Sequence, residues 1–183
     1  MSTIFEQNRC ELASQNRSTR RRAILESVIQ TFHETFPTLN FRILDGISAI
    51  NAQASIINDV RSVDVFAGFA YHPEVDRDAL IFVLLHEAGH HLSQGSRLPW
   101  MPKLACDCAA DFWAITEGRA VLQRSNCRFV IESALRQIER AANLNSSKKR
   151  NVGRAKCSFL NWTKRKRGLK DAQCCVRDTC AIV

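Results

Sequence analysis

An α+β fold is predicted for this 183-residue chain, with a small sheet packed on one buried helix and further helices behind it. Three observations predict it. Apolar residues recur at helical spacing near the start, and short segments bounded by turn residues follow them. A helix apolar on all sides then leads into two more helical stretches. With 45% hydrophobic residues the chain can bury one core.

Residues 1–16 are polar and read as a flexible N-terminus. Over 17–36 the residues Ile24, Leu25, Val28, Ile29, Phe32 and Phe36 keep helical spacing, and Pro37 ends the helix. Residues 41–44 alternate as a strand that stops at Asp45-Gly46. Residues 49–57 are a weaker strand candidate, closed by Asn58-Asp59. Residues 63–71 read as a third strand, in which Ala67, Gly68 and Ala70 would let another backbone approach closely. Tyr71 and His72 at its end could donate to a developing oxyanion.

Asp76 or Asp78 signals the start of the next helix, and Gly95 its stop. The run from Ala79 to Leu85 is wholly apolar, and His86-Glu87-Ala88-Gly89-His90 follows it. One turn separates His86 from His90, so both imidazoles leave one face and can grip one metal ion. Glu87 is turned by roughly 100° from His86, which aims its carboxylate at the open metal position. There it can take a proton from water and pass it to a leaving amine. Two His and a Glu are costly in a buried helix unless a metal or hydrogen bonds satisfy them. The cofactor implied is one Zn2+ per chain.

A catalytic zinc takes three protein ligands. No His follows His91, so the third ligand is expected to be a carboxylate from a helix over 103–124. Asp107 and Asp111 stand one turn apart there. Asp107 is read as the ligand and Asp111 as acceptor of the spare N–H of a zinc-bound His. The reverse assignment stays open, and Glu117 is a weaker candidate. Cys106 and Cys108 read as buried small residues, Phe112 and Trp113 as packing, and His91 as pointing away from the metal face. A last amphipathic helix over 128–144 carries Ile131, Leu135 and Ile138 on one side.

The pair of motifs, His-Glu-x-x-His and Asp107-x-x-Ala110-Asp111-x-Trp113-Ala114, resembles those of gluzincin-type zinc metallopeptidases, nearest to the ImmA/IrrE-like family. The resemblance covers about residues 20–145. It implies a zincin-like domain with His86, His90 and Asp107 as zinc ligands and Glu87 as general base. It also implies an edge strand above the metal that pairs with the substrate backbone, for which residues 63–71 are the candidate. Those families usually place Glu where Asp107 stands. Asp is one methylene shorter, so its helix must approach the metal helix more closely.

Charge divides the chain. Residues 1–147 carry 15 basic and 16 acidic side chains, whereas 148–183 carry 11 basic and two acidic. The reading is therefore a zincin-like domain over 17–145 followed by a disordered basic, Cys-rich tail over 146–183. The final Cys180-Ala181-Ile182-Val183 fits a prenylation signal, with Cys174 and Cys175 as candidate acylation sites and Lys164-Arg165-Lys166-Arg167 as a polybasic patch for anionic membrane. That signal operates only in a eukaryotic cell, as for a bacterial effector modified inside its host. Nucleic acid is a less favoured partner of the tail. Neither a signal peptide nor a membrane-spanning run is visible, and the cysteines lack a compact disulfide spacing, so a reducing cytoplasm is expected.

Two readings of function follow. The first is a zinc endopeptidase acting on a protein or peptide substrate. The second is a catalytically inactive zincin shell that binds protein, membrane or nucleic acid through its tail.

Overall fold

Leu25, Val28, Phe32 and Phe36 follow one another at helical spacing, and all four are buried. The first three form the inner seam of the first helix, α1 (Thr3–Thr35), and Phe36 follows it just before Pro37. The computed structural model describes residues 3–143 and 162–171, with side chains from residue 19 onward within them. Its architecture is mixed α+β.

Three strands follow: β1 (Asn40–Leu44), β2 (Ala52–Ile57) and β3 (Val60–Phe66). They form one sheet in the order β1-β3-β2, with β1 parallel and β2 antiparallel to β3. Asn58 (φ 50°) and Asp59 (φ 60°) make the two-residue turn between β2 and β3. Their left-handed backbone matches the twist of the paired strands. Asp64 in β3 is buried, and Arg42 beside it in β1 balances its charge, with Nε donating to Oδ1 at 2.8 Å.

Two expectations fail in this region. The third strand ends at Phe66, and residues 67–70 form the single helical turn α2 (Ala67–Ala70). The small residues there do make room for a backbone, but it is the chain's own. A Cβ on Gly68 would lie 2.0 Å from the carbonyl oxygen of Ser48, and the Gly68 N–H donates to Ile47 O at 3.1 Å. In addition, β3 is the central strand, paired on both sides, so it cannot be a substrate-pairing edge. The edges are β1 and β2.

The buried helix is α3 (Arg77–Leu92), capped by the Asp76 side chain, which accepts from the Arg77 N–H at 2.8 Å. Every residue from Ala79 to His91 except Val83 is buried. Ser93 rather than Gly95 follows its last turn, the Ser93 N–H donating to Gly89 O at 3.0 Å.

The long helix expected over 103–124 is three elements. A hairpin of β4 (Arg97–Leu98) and β5 (Met101–Ala105) leads through Cys106 into α4 (Asp107–Ile115). The chain then breaks at Thr116 before α5 (Glu117–Arg124). Thr116 turns its hydroxyl back to Phe112 O at 2.7 Å, a bond that competes with helix propagation. Gly118 has no Cβ, which would otherwise lie 2.5 Å from the Trp113 ring.

The cover helix α6 (Ile131–Ala141) is shorter than expected. The tail supplies one further helix, α7 (Trp162–Asp171), against α4 and α6. The expectation of disorder fails over these ten residues. Trp162, Arg165, Lys166 and Leu169 keep helical spacing and face inward, a pattern hidden in the sequence by the basic run. Among the described residues no helix is long and apolar enough to cross a membrane.

Candidate metal centre

α3 delivers His86 and His90 from one face at its buried C-terminal half, and the ring nitrogens Nε2 lie 3.1 Å apart. α4 delivers Asp107 from its first turn, with Oδ1 3.7 Å from His86 Nε2 and 4.0 Å from His90 Nε2. These three groups could hold a metal ion. The equidistant point in the plane of the three donor atoms lies about 2.1 Å from each, near the length of metal–imidazole and metal–carboxylate bonds.

The imidazoles are oriented from behind. His90 Nδ1 is 2.7 Å from the carbonyl oxygen of Ala105, which makes Nδ1 the protonated nitrogen and leaves the Nε2 lone pair free. His86 Nδ1 lies 2.8 Å from Asp111 Oδ1, which selects the same tautomer. Asp111 thus stands behind His86 and outside the three-residue group. Glu117 is exposed at the start of α5 and is also outside it.

Glu87 stands beside the group without joining it. Its Oε1 is 4.0 Å from His86 Nε2, and its Oε2 is 3.9 Å from His90 Nε2. It is buried at 8% exposure yet borders the cleft, so it can meet a water or a substrate atom there. His91 faces the other way, its Nε2 donating to Ser62 O at 3.0 Å and tying α3 to β3. Tyr71 and His72 do not reach the cleft. The Tyr71 hydroxyl donates to Asp45 Oδ1 at 3.1 Å, and His72 Nδ1 accepts from the Glu74 N–H at 3.1 Å. Neither can donate to an oxyanion.

Two features decide the geometry that the sequence motifs left undrawn. Gly89 sits where α3 meets α4, and a Cβ there would lie 2.7 Å from Ala110 O and 2.9 Å from Ala110 Cα. The missing side chain lets α4 pack close enough for the short Asp107 to reach the histidines. The signal was the pairing of Gly89 with Ala109-Ala110 in the facing helix. The second feature is Arg165 on α7, whose Nε and Nη2 donate to Asp111 at 2.7 and 2.8 Å. A basic residue 54 positions from its partner gives no local signal of this.

Electrostatics follow these contacts. Burial alone would raise the Asp111 pKa, but Arg165 and His86 hold it far below the carboxylate range. Burial would likewise lower His86, but the Asp111 charge outweighs it and the shift is upward. His90 is shifted down by burial and by the neighbouring His86.

A cleft of about 530 Å³ opens over the group. Its floor is His86, Glu87, His90 and Asp107; one wall is the β2 edge at Ala52, Gln53 and Ala54. Leu98 and Trp100 border it from the hairpin, and Trp162 and Arg165 from α7. Cys106 and Cys108 are buried as expected, but both are disulfide-bonded, which the reading of a reducing compartment does not anticipate. Cys174, Cys175 and Cys180 lie outside the described residues. No family model, curated protein or solved structure matches the chain.

Proposed function

We propose that the chain is a zinc-dependent endopeptidase of zincin-like fold. The observation that carries this reading is the convergence of His86 Nε2, His90 Nε2 and Asp107 Oδ1 to within 4.0 Å of one another, with Glu87 beside them at the floor of a cleft. Zinc held there would polarise a scissile carbonyl and acidify water. Glu87 takes the proton of the attacking water and returns it to the leaving amine. With Nδ1 of His90 turned to Ala105 O and Nδ1 of His86 turned to Asp111, the Nε2 atoms of both face the metal position. Among the described residues the outer edge of β2 is unpaired and can pair with an extended peptide, and Ala52 and Ala54 leave it space.

The rival reading, a binding module acting through a free basic tail, fits less well. Arg165 and Lys166 of the basic run are engaged within the chain, with Asp111 and Glu139.

Elemental analysis should find about one zinc per chain, lost or weakened in His90→Ala and Asp107→Ala. Glu87→Gln should retain zinc and lose peptide-library cleavage by on the order of 100-fold or more. A Glu87→Gln variant with wild-type turnover would remove Glu87 from the mechanism. Wild type without zinc after reconstitution would sink the enzyme reading.

A further inference from the structure

Arg165 stands in neither of the motifs that carry the metal site, yet it is the group that closes it. Its guanidinium makes a two-point contact with Asp111, Nε to Oδ2 at 2.7 Å and Nη2 to Oδ1 at 2.8 Å. Such a fork fixes the plane of the carboxylate as well as its position. Asp111 is 3% exposed and its Oδ1 lies 2.8 Å from His86 Nδ1, so its orientation sets that of the imidazole. The chain of contacts runs Arg165, Asp111, His86, Nε2. Without Arg165, Asp111 would be a buried carboxylate balanced only by a histidine that must itself stay neutral to bind metal.

The rest of α7 holds Arg165 in place. Trp162 Nε1 donates to Glu139 Oε1 at 2.9 Å, Lys166 pairs with the same carboxylate, and Leu169 is buried in the main core. Trp162 and Arg165 also line the cleft. The helix is therefore anchored on α6 at one side and inserted at the metal centre on the other.

We propose that Arg165, carried to the cleft by the tail helix α7, is a positioning residue that fixes Asp111 and through it His86, so that the metal site is complete only when α7 is docked. This rests on the metal-site reading above.

The test is zinc affinity of the full chain, measured by competition with a chromophoric chelator, for wild type, Arg165→Ala and Arg165→Lys. Loss of a group that orients a metal-binding His weakens binding on the order of 10–100-fold, and that loss is expected for Arg165→Ala. Arg165→Lys keeps the charge without the fork and should recover only part of it. The visible spectrum of the cobalt-loaded protein should change in Arg165→Ala. Zinc affinity within about twofold of wild type, with the cobalt spectrum unchanged, would overturn the proposal. If Arg165→Ala does not fold, Arg165→Lys decides by the same criteria. A wild type that binds no zinc removes the function proposed above but not this inference. The His86 tautomer, read by long-range proton–nitrogen NMR on the metal-free chain, then decides it. A single Nδ1–H form in wild type that becomes mixed in Arg165→Lys supports the role, and an unchanged tautomer overturns it.

Discussion

At the scale of the residue, the meeting of His86 and His90 was legible and the reach of Asp107 to them was not. His86 and His90 converge because one helical turn separates them, which is a property of spacing. The reach of Asp107 depends instead on the absence of a side chain at Gly89, and only the facing Ala110 backbone reveals that. Gly89→Ala should therefore act at a distance of one helix. A methyl group 2.7 Å from Ala110 O must push α4 outward, since backbone cannot yield locally. Overpacking of this kind costs about 1–3 kcal/mol, visible in a denaturant titration. Zinc affinity should fall with it, because Asp107 has no spare length. A Gly89→Ala variant with wild-type affinity would show that the helix separation is not what brings Asp107 into range.

At the scale of the element, helices with a strong apolar seam were read well and strands poorly. The α1 seam and the wholly apolar run from Ala79 to Leu85 in α3 leave little choice of structure. The third strand was overrun because the apolar run continues unbroken from Val65 to Tyr71, and composition alone cannot show that another loop occupies the space beside Gly68. Helix α7 was missed because its basic side chains bind partners distant in sequence. Its hold on α6 should depend on pH. Burial would raise the Glu139 pKa, but Lys166 and Trp162 outweigh it and hold it below the usual range. A carboxylate depressed in the folded state contributes its stability above its unfolded pKa, about 4.3 for Glu, and loses it as pH falls through the folded value. Protection of the α7 amides from exchange, taken relative to the free-chain rate at each pH, should therefore be high at neutral pH and fall below about pH 4. Glu139→Gln should loosen α7 at neutral pH by about 1 kcal/mol, since the Lys166 pair is partly exposed. Exchange in α7 that is indifferent to both changes would assign its docking to Leu169 and the apolar contacts alone.

At the scale of the whole molecule, the division of the chain into a domain and a disordered tail was drawn from charge, and charge misplaced the boundary. The excess of basic residues beyond 148 is real, but part of it is matched by Asp111 and Glu139 in the body. A chain truncated after residue 145 keeps both motifs and loses α7. It leaves the 3%-exposed Asp111 without its principal counter-charge, a change of about 3 kcal/mol or more. The melting temperature should drop by roughly 6–12 °C in calorimetry. Melting within about 2 °C of the full chain would show that the body is complete by residue 145.

The 54-residue separation of Asp111 from Arg165 also has a consequence in time. Synthesis at about 5–20 residues per second puts roughly 3–11 s between the two. For that interval the nascent chain holds both motifs but not the guanidinium that orders them. On the proposal that Arg165 orders His86 through Asp111, a metal site built in this order gains its geometry only after α7 has been translated and docked.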